Sequence, residues 1–451
     1  MKFNINFIFF FGALGGFLFG FDSGIISGAS PLIESTLYLS VEKISFITSS
    51  VLIGSAIGAL SIGFISDKYG RKVTLIGIAV IFIIGSLVSS IAPDFISLIF
   101  ARILLGFAIG GVSSLTPTYL AEIAPAKKRG QFGSMFQLMI TFGILTAYLA
   151  NLFLLNHHIL GINDWRWMLL SSVIPGVLLF IGSLFIPESP RYLIAKGKIA
   201  EGKSILNFFR EGEKNSDVEN EFEEIKKIAI LPKGSFKDLF KIAKPSLIVA
   251  IGIMFLSQLM GINSIIYYCP QIFIKGFNFP EYNAIIISIG IGFINFLVTI
   301  IALYIMDKFN RKSILTFGSI TMLISLLALT ILDYTFPIET VATVSIILIA
   351  IYIFGFAISW GPISWLIISE IFPLQQRTKG TAIGSLANWI GNWIVTQFFL
   401  VLLIGFNNHI GGPFAIFAIF AFISIFFVRY MVPETKGKSL EEIEEELRFN
   451  S

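Results

Sequence analysis

Two charges stand where hydrophobic sequence would otherwise run on unbroken. Asp22 closes the charge-free run 3–21, and Arg102 immediately precedes the run 103–121. A lone carboxylate or guanidinium in an apolar interior is costly, so each must be paired, neutralised or set beside water. The two suit one another. Burial disfavours the charged carboxylate and a guanidinium favours it, so a movement that separates them would load or release a proton. A second group carries no charge: Gln137, Gln258, Asn263, Asn295, Asn388 and Asn392 lie in otherwise apolar stretches. Amides donate and accept at once, which suits a ligand with many hydroxyls or a bond from helix to helix. Six of them are poorly placed facing lipid, so they point to a common cavity.

The elements that position these residues follow from composition. The chain has 451 residues, of which 55% are hydrophobic and 13% are Asp, Glu, Lys or Arg. That charged share is about half that of a soluble domain. A mean hydropathy of +0.85 asks for lipid as solvent. Runs free of charge cover 44–66, 73–93, 130–163 and 167–187 besides the two above, then 245–274, 282–306, 313–332, 340–369 and 380–428. Each can hold a membrane-crossing helix of about 20 residues. The last is long enough for two, broken at Asn407, Asn408, His409, Gly411 and Gly412. This predicts six spans in 1–187, a charged cytoplasmic linker over 188–244, six spans in 245–433, and a cytoplasmic tail over 434–451.

With both termini inside, 28 of the 32 basic residues fall on the inner side, which sets the orientation. The same bias explains the basic pI of about 8.9, so no nucleic-acid partner is implied. Asp22 then lies nine residues before Pro31, roughly 13 Å below the outer end, and Arg102 eight residues past Asp94, roughly 12 Å below it. Equal depth permits a salt bridge. The single cysteine, Cys269, allows no intramolecular disulfide. The N-terminal apolar run reads as a first span and not as a cleaved signal peptide.

The chain repeats itself. Asp67-Lys-Tyr-Gly-Arg71-Lys returns as Asp307-Lys-Phe-Asn-Arg311-Lys at an offset of 240. Glu122 with Arg129 returns as Glu370 with Arg377 at 248, and Pro187-Glu188-Ser as Pro433-Glu434-Thr at 246. Offsets near half the chain length mean two pseudo-symmetric six-helix bundles, with a substrate site between them near the midplane. Carboxylates and basic side chains at inner helix ends can pair in one state and part in another, a latch for an inner gate. Glu122, Arg129, Glu370 and Arg377 favour that reading as a set; orienting the protein in the membrane is the plainer alternative.

These residues resemble the sugar porter family of the major facilitator superfamily, and within it the bacterial proton-coupled hexose and pentose symporters. The resemblance covers essentially the whole chain. It rests on Gly16-Phe-Leu-Phe-Gly-Phe-Asp22-Ser-Gly-Ile-Ile-Ser-Gly28, Asp67–Lys72, Tyr119-Leu-Ala-Glu-Ile-Ala-Pro125 with Arg129-Gly130, and Pro187-Glu-Ser-Pro-Arg191. In the second half it rests on Gln258-Leu-Met-Gly-Ile-Asn263 with Tyr267-Tyr268, Trp360-Gly-Pro-Ile-Ser-Trp365 with Ser369-Glu-Ile-Phe-Pro373, Asn388-Trp389, and Pro433-Glu-Thr-Lys-Gly437.

The resemblance implies an all-α integral membrane protein with the twelve-helix major facilitator fold. It implies a central sugar site touched by Gln137, Gln258, Asn263, Asn295, Trp365, Asn388 and Asn392 and walled by Phe19 and Trp389. Asp22 is the residue that marks proton symporters, since facilitative members often carry Asn there. Tyr267 and Tyr268 resemble the family's extracellular gate, and Gly261 and Gly361-Pro362 interrupt their spans as candidate hinges. The inner latch would draw on Asp67, Arg71, Glu122, Arg129, Glu188, Arg191, Asp307, Arg311, Glu370, Arg377 and Glu434. Two departures stand out. Ser257 replaces the first of the family's paired Gln residues, which bears on sugar preference, and Asn310 stands where Gly is usual, which bears on turn geometry.

His157 and His158 have no further ligands at suitable spacing, and no metal or cofactor is implied. The acidic run Glu441–Glu446 with Leu440, Ile443 and Leu447 reads as an amphipathic cytoplasmic tail. No phosphate loop or nucleophile elbow is present, so an enzyme is not expected. The expected function is proton-coupled monosaccharide symport by alternating access, working as a monomer in a plasma (inner) membrane. A facilitative sugar or polyol uniporter and a non-transporting sugar sensor are the alternatives.

Overall fold

The computed structural model describes residues 5–124, 129–157, 161–211, 214–230, 239–240, 243–306, 308–372, 376–436 and 438. Among the described residues there is no strand, and twelve helices are long and apolar enough to cross a bilayer. They are Ile8–Thr36, Val41–Tyr69, Arg71–Ile91, Phe95–Ile123, Met135–Leu154 and Asp164–Phe185, then Lys244–Gly276, Glu281–Ile305, Arg311–Thr335, Ile338–Glu370, Lys379–Gly405 and Gly411–Tyr430. They are called the first to twelfth spans below. Large apolar side chains such as Phe64, Phe100 and Phe153 stand 75%, 69% and 72% exposed on the outside of the bundles. Such a surface is stable only against lipid.

Within the first half the second span packs on the fourth and the first on the fifth. Small residues permit the approach. Gly54 and Gly58 lie against the backbone of Ile103 and Phe107, while Gly106 and Gly110 lie against that of Val51 and Ser55. Two small-xxx-small faces thus interlock, the arrangement that lets helices associate by van der Waals contact where lipid removes the hydrophobic drive. The fourth span starts at a capping box: Asp94 accepts from the backbone and hydroxyl of Ser97, at 2.9 Å each. The backbone bond, then the hydroxyl bond, hold the Asp94 carboxyl below its ordinary range. In the second half the ninth span packs on the twelfth and the seventh on the eleventh. The halves meet where the second span lies on the eleventh, the fifth on the eighth, and the first on the outer part of the seventh.

Two spans are broken along their length. The seventh consists of Lys244–Leu259 and Ile262–Gln271, joined through Gly261 in the left-handed region at φ 94°. It ends in a π turn, Ile272–Gly276. The tenth consists of Ile338–Ile358 and Trp360–Glu370, and the break sits at Ser359, with φ −129° and ψ −86°. Gly361 and Pro362 therefore lie in the first turn of the inner piece, where a proline lacking its N–H costs no helical bond. The long run 380–428 divides as expected, with Asn407 and Asn408 both left-handed, at φ 54° and 65°.

The linker forms the helices Pro190–Ala195, Ile199–Phe209 and Asn215–Ile230. They share a small core of Ile194, Leu206, Val218, Phe222 and Ile225. Buried Arg210 ties this unit to the inner end of the fourth span. It donates to the carbonyls of Ile123 at 2.9 Å and Ala124 at 3.1 Å and pairs with Glu221 at 2.7 Å. Two carbonyls at a helix C-terminus, left over by the helix itself, are thereby satisfied by a cation.

Candidate functional site

The first and fourth spans bring Asp22 and Arg102 together. Arg102 Nη1 donates to Asp22 Oδ1 at 2.6 Å, with side-chain exposures of 0% and 2%. Arg102 Nε and Nη2 are buried without a hydrogen-bond partner. The two residues, set at one level by their spacing along the first and fourth spans, meet. A guanidinium held by one bond of a possible five is under-satisfied, a state in which small changes in geometry or protonation carry large energetic weight.

The amides gather on the seventh and eleventh spans. Asn263 Nδ2 donates to Gln258 Oε1 at 2.6 Å, and Gln258 Nε2 donates to Asn388 Oδ1 at 2.7 Å. One chain of three amides therefore crosses the break in the seventh span and reaches the eleventh. One turn beyond Asn388, buried Asn392 accepts from Thr396 Oγ1 at 3.0 Å, while its Nδ2 has no partner. Trp389, fully buried, also keeps its indole N–H unpartnered. Its ring lies 5.3 Å from that of Phe19 across the boundary between the halves. Gln137 of the fifth span sits beside Gly361, where a Cβ would come 3.4 Å from Gln137 Nε2. Trp365 is partly buried on the tenth span and Asn295 buried on the eighth. Ser257 does not join the amide chain strongly: its hydroxyl bonds back to Met254 O at 2.7 Å and lies 3.5 Å from Gln258 Nε2. The arrangement offers unused donors, aromatic faces and no net charge, a match for a polyhydroxy ring.

The outer half of the seventh span covers this region. Tyr267 and Tyr268 are buried. Ser23, next to Asp22, places its Oγ 3.4 Å from the Tyr267 hydroxyl, and Tyr268 donates to Thr396 O at 2.8 Å. Tyr268 itself leaves helical geometry, at φ −119° and ψ 17°. Further contacts across the boundary escaped the sequence reading. Tyr148 donates to Ile266 O at 2.8 Å, and Ser49 donates to Gln397 Oε1 at 2.6 Å. The signal available for them was only a polar side chain in an apolar span.

At the inner ends the two halves repeat one design. Glu188 accepts from the backbone N–H of Arg71 at 2.9 Å and Lys72 at 3.2 Å. Glu434 accepts from those of Arg311 at 3.1 Å and Lys312 at 3.2 Å. Each carboxylate thus caps the first turn of the third or ninth span. Arg71 also grips Glu122, through bonds of 2.9 and 3.0 Å, and Asp67 at 3.2 Å. Arg311 faces Glu370 more loosely, at 3.9 Å. The described partners of Arg71, Glu122, Glu188, Arg311 and Glu434 lie in the same half of the chain or in the linker or tail that directly follows it, so these bonds brace each bundle by itself. Arg191 stands in the first turn of the helix Pro190–Ala195 with its Nε buried and unpartnered. Asp307 and the side chains of Arg129 and Arg377 lie outside the described residues, as do His158 and Glu441–Glu446. Asn310 occupies the N-cap position of the ninth span at an ordinary φ of −67°, without a side-chain capping bond, whereas Gly70 in the first half has φ 98°. The turn geometry does differ between the repeats.

Comparison with known proteins decides the family. Residues 8–447 match the family described as sugar (and other) transporter. The chain belongs to the sugar transporter family. Among its relatives, the D-xylose transporter of Levilactobacillus brevis is 42% identical, covering 99% of this chain and 96% of that protein. The galactose-proton symporter of Escherichia coli K12 is 36% identical over 98% and 94%. In structure, the transporter superposes on the proton:xylose symporter XylE bound to 6-bromo-6-deoxy-D-glucose with a TM-score of 0.86 and 30% identity, covering 98% of this chain and 99% of that one. The twelve spans and the bacterial symporter relatives make this transporter a multi-pass plasma membrane protein. Among its described residues no group of three or more His, Cys, Asp or Glu is placed to hold a metal. His157 instead lies 3.0 Å from Leu155 O, stacked on Phe153.

Proposed function

We propose that the transporter carries a monosaccharide, a hexose or pentose, together with a proton by alternating access. The observation that carries this reading is the buried Asp22–Arg102 pair standing beside an uncharged amide and indole site. Protonation of Asp22 removes its attraction to Arg102 and frees the first and fourth spans to shift; loss of the proton restores the bond. The sugar ring sits between the bundles 1–187 and 245–433. Gln258, Asn263 and Asn388 exchange bonds among themselves for bonds to its hydroxyls, Gln137, Asn295, Asn392 and Trp365 add contacts, and Phe19 and Trp389 cover its faces. Gly261 and the Ser359–Pro362 segment are the hinges on which the broken spans bend. The inner charge clusters brace each bundle, and Glu122, Arg129, Glu370 and Arg377 are the set that latches the inner gate. Both termini and the 188–244 linker face the cytoplasm, following the distribution of basic residues. One chain holds the complete site, so a monomer suffices, and the chemistry calls for no cofactor.

Uptake of labelled xylose, galactose, glucose and arabinose into proteoliposomes, with and without an inward proton gradient, tests this for wild type and Asp22→Asn. The expected result is accumulation above the bath level that needs both the gradient and Asp22, with sugar counterflow partly kept in the variant. Full accumulation by Asp22→Asn would exclude the proton role. Equilibration that ignores the gradient would make the protein a uniporter, and binding without uptake would make it a sensor.

A further inference from the structure

The outer ends of the first and seventh spans meet in a second ion pair that neither the proton pair nor the sugar amides use. Lys275 Nζ donates to both carboxylate oxygens of Glu34, at 2.8 and 2.9 Å. Gln271 Nε2 adds a longer contact to Glu34 Oε2 at 3.4 Å. The two side chains are 20% and 23% exposed, at the edge of the protein interior. Glu34 belongs to the first bundle, Lys275 and Gln271 to the second, so the bond spans the seam that must part for the site to open outward.

Its position along the helices gives it leverage. Glu34 lies twelve residues beyond Asp22 on one span, and Lys275 twelve beyond Asn263 on the other, each roughly 18 Å outward. One helix thus joins the proton carboxylate to Glu34, and the outer half of the seventh span, kinked at Tyr268, joins a sugar amide to Lys275. Both tips are built to bend. Pro31 and Pro270 each remove a backbone donor inside their helices, and Lys275 stands in the π turn Ile272–Gly276.

We propose that Glu34 and Lys275 are the electrostatic clasp of the outer gate, formed when the first and seventh spans close and broken each time the site opens outward. This rests on the alternating-access reading and adds to it the contact that sets how often the outer side opens. A partly exposed pair is weak enough to break in every cycle. The ammonium reaches both carboxylate oxygens, so the attraction holds the two helix tips together without demanding one exact geometry. Beneath it the Ser23–Tyr267 and Tyr148–Ile266 contacts continue the same seam.

The protein carries its own probe. Cys269 is the single cysteine, buried in the outer half of the seventh span six residues below Lys275. Labelling it with a membrane-impermeant maleimide added outside right-side-out vesicles reads the movement of the outer half of the seventh span away from the first bundle without any sugar or proton gradient. The result therefore stands apart from the substrate assignment. Glu34→Gln and Lys275→Gln are expected to label about two- to fivefold faster than wild type, following the open fraction. Lys275→Arg, which keeps the charge, and the reversed pair Glu34→Lys with Lys275→Glu are expected to label near the wild-type rate. Single variants that label no faster than wild type would overturn the proposal, and so would a reversed pair as fast as the singles. Thermal midpoints of the purified variants identify any that is merely misfolded, and the charge-keeping and reversed variants then decide.

Discussion

Arg102 holds Asp22 at 2.6 Å with a single nitrogen while two other guanidinium nitrogens stay buried and unpartnered. The pair is therefore complete as a charge pair and incomplete as a hydrogen-bond network. Removing one member is a different perturbation from neutralising both, because a buried charge without its partner is costly.

Arg102→Gln alone should lower stability by about 3–5 kcal/mol, seen as a clear drop in thermal midpoint of the purified protein. Combining it with Asp22→Asn should recover much of that midpoint and yet restore no uphill accumulation. A double variant as unstable as the single would show that Arg102 serves packing more than pairing.

Gln258 bridges Asn263 and Asn388. Gln258→Ala should leave both amides short of a partner and weaken sugar binding by about 10- to 100-fold, equivalent to about 1.4–3 kcal/mol. Equilibrium sugar binding measures this, and the proton requirement of any residual uptake should be unchanged.

Gly261 has φ 94°, and a Cβ there would run into the ring of Phe417. Gly261→Ala should cost at least about 1–2 kcal/mol from backbone strain alone, with the clash added. Reduced yield of folded protein and a lower midpoint would report it. An alanine variant of full stability would mean that the break in the seventh span moves easily to another residue.

Glu188 and Glu434 cap equivalent helices in the two halves. Glu188→Gln and Glu434→Gln should each lose about 0.5–2 kcal/mol. Being in separate bundles, the losses should add in the double variant within about 0.5 kcal/mol. Thermal or denaturant unfolding in detergent checks both statements. A strongly non-additive double variant would place the two caps in one coupled gate and not in two independent bundles.

Much of this protein was legible in its sequence because the membrane imposes simple rules. Charge-free runs had to become spans, the repeat had to become two bundles, and a charge inside a span had to find its opposite at equal depth, which led from Asp22 to Arg102. Amides in apolar helices had to face inward. What the sequence left open were relations between distant segments, where many pairings satisfy the same local rules. Only the tertiary structure joined Asn263 to Gln258 and Asn388 while leaving the Asn392 amide N–H unpartnered, placed the break of the tenth span at Ser359 beside Gly361 and Pro362, and turned Glu188 and Glu434 into caps within each half. It also brought Glu34 to Lys275. In the sequence these were one acidic and one basic residue at helix ends, 241 positions apart, and nothing in local pattern selects such a pair. It is selected by how two helices from different bundles cross, which packing decides.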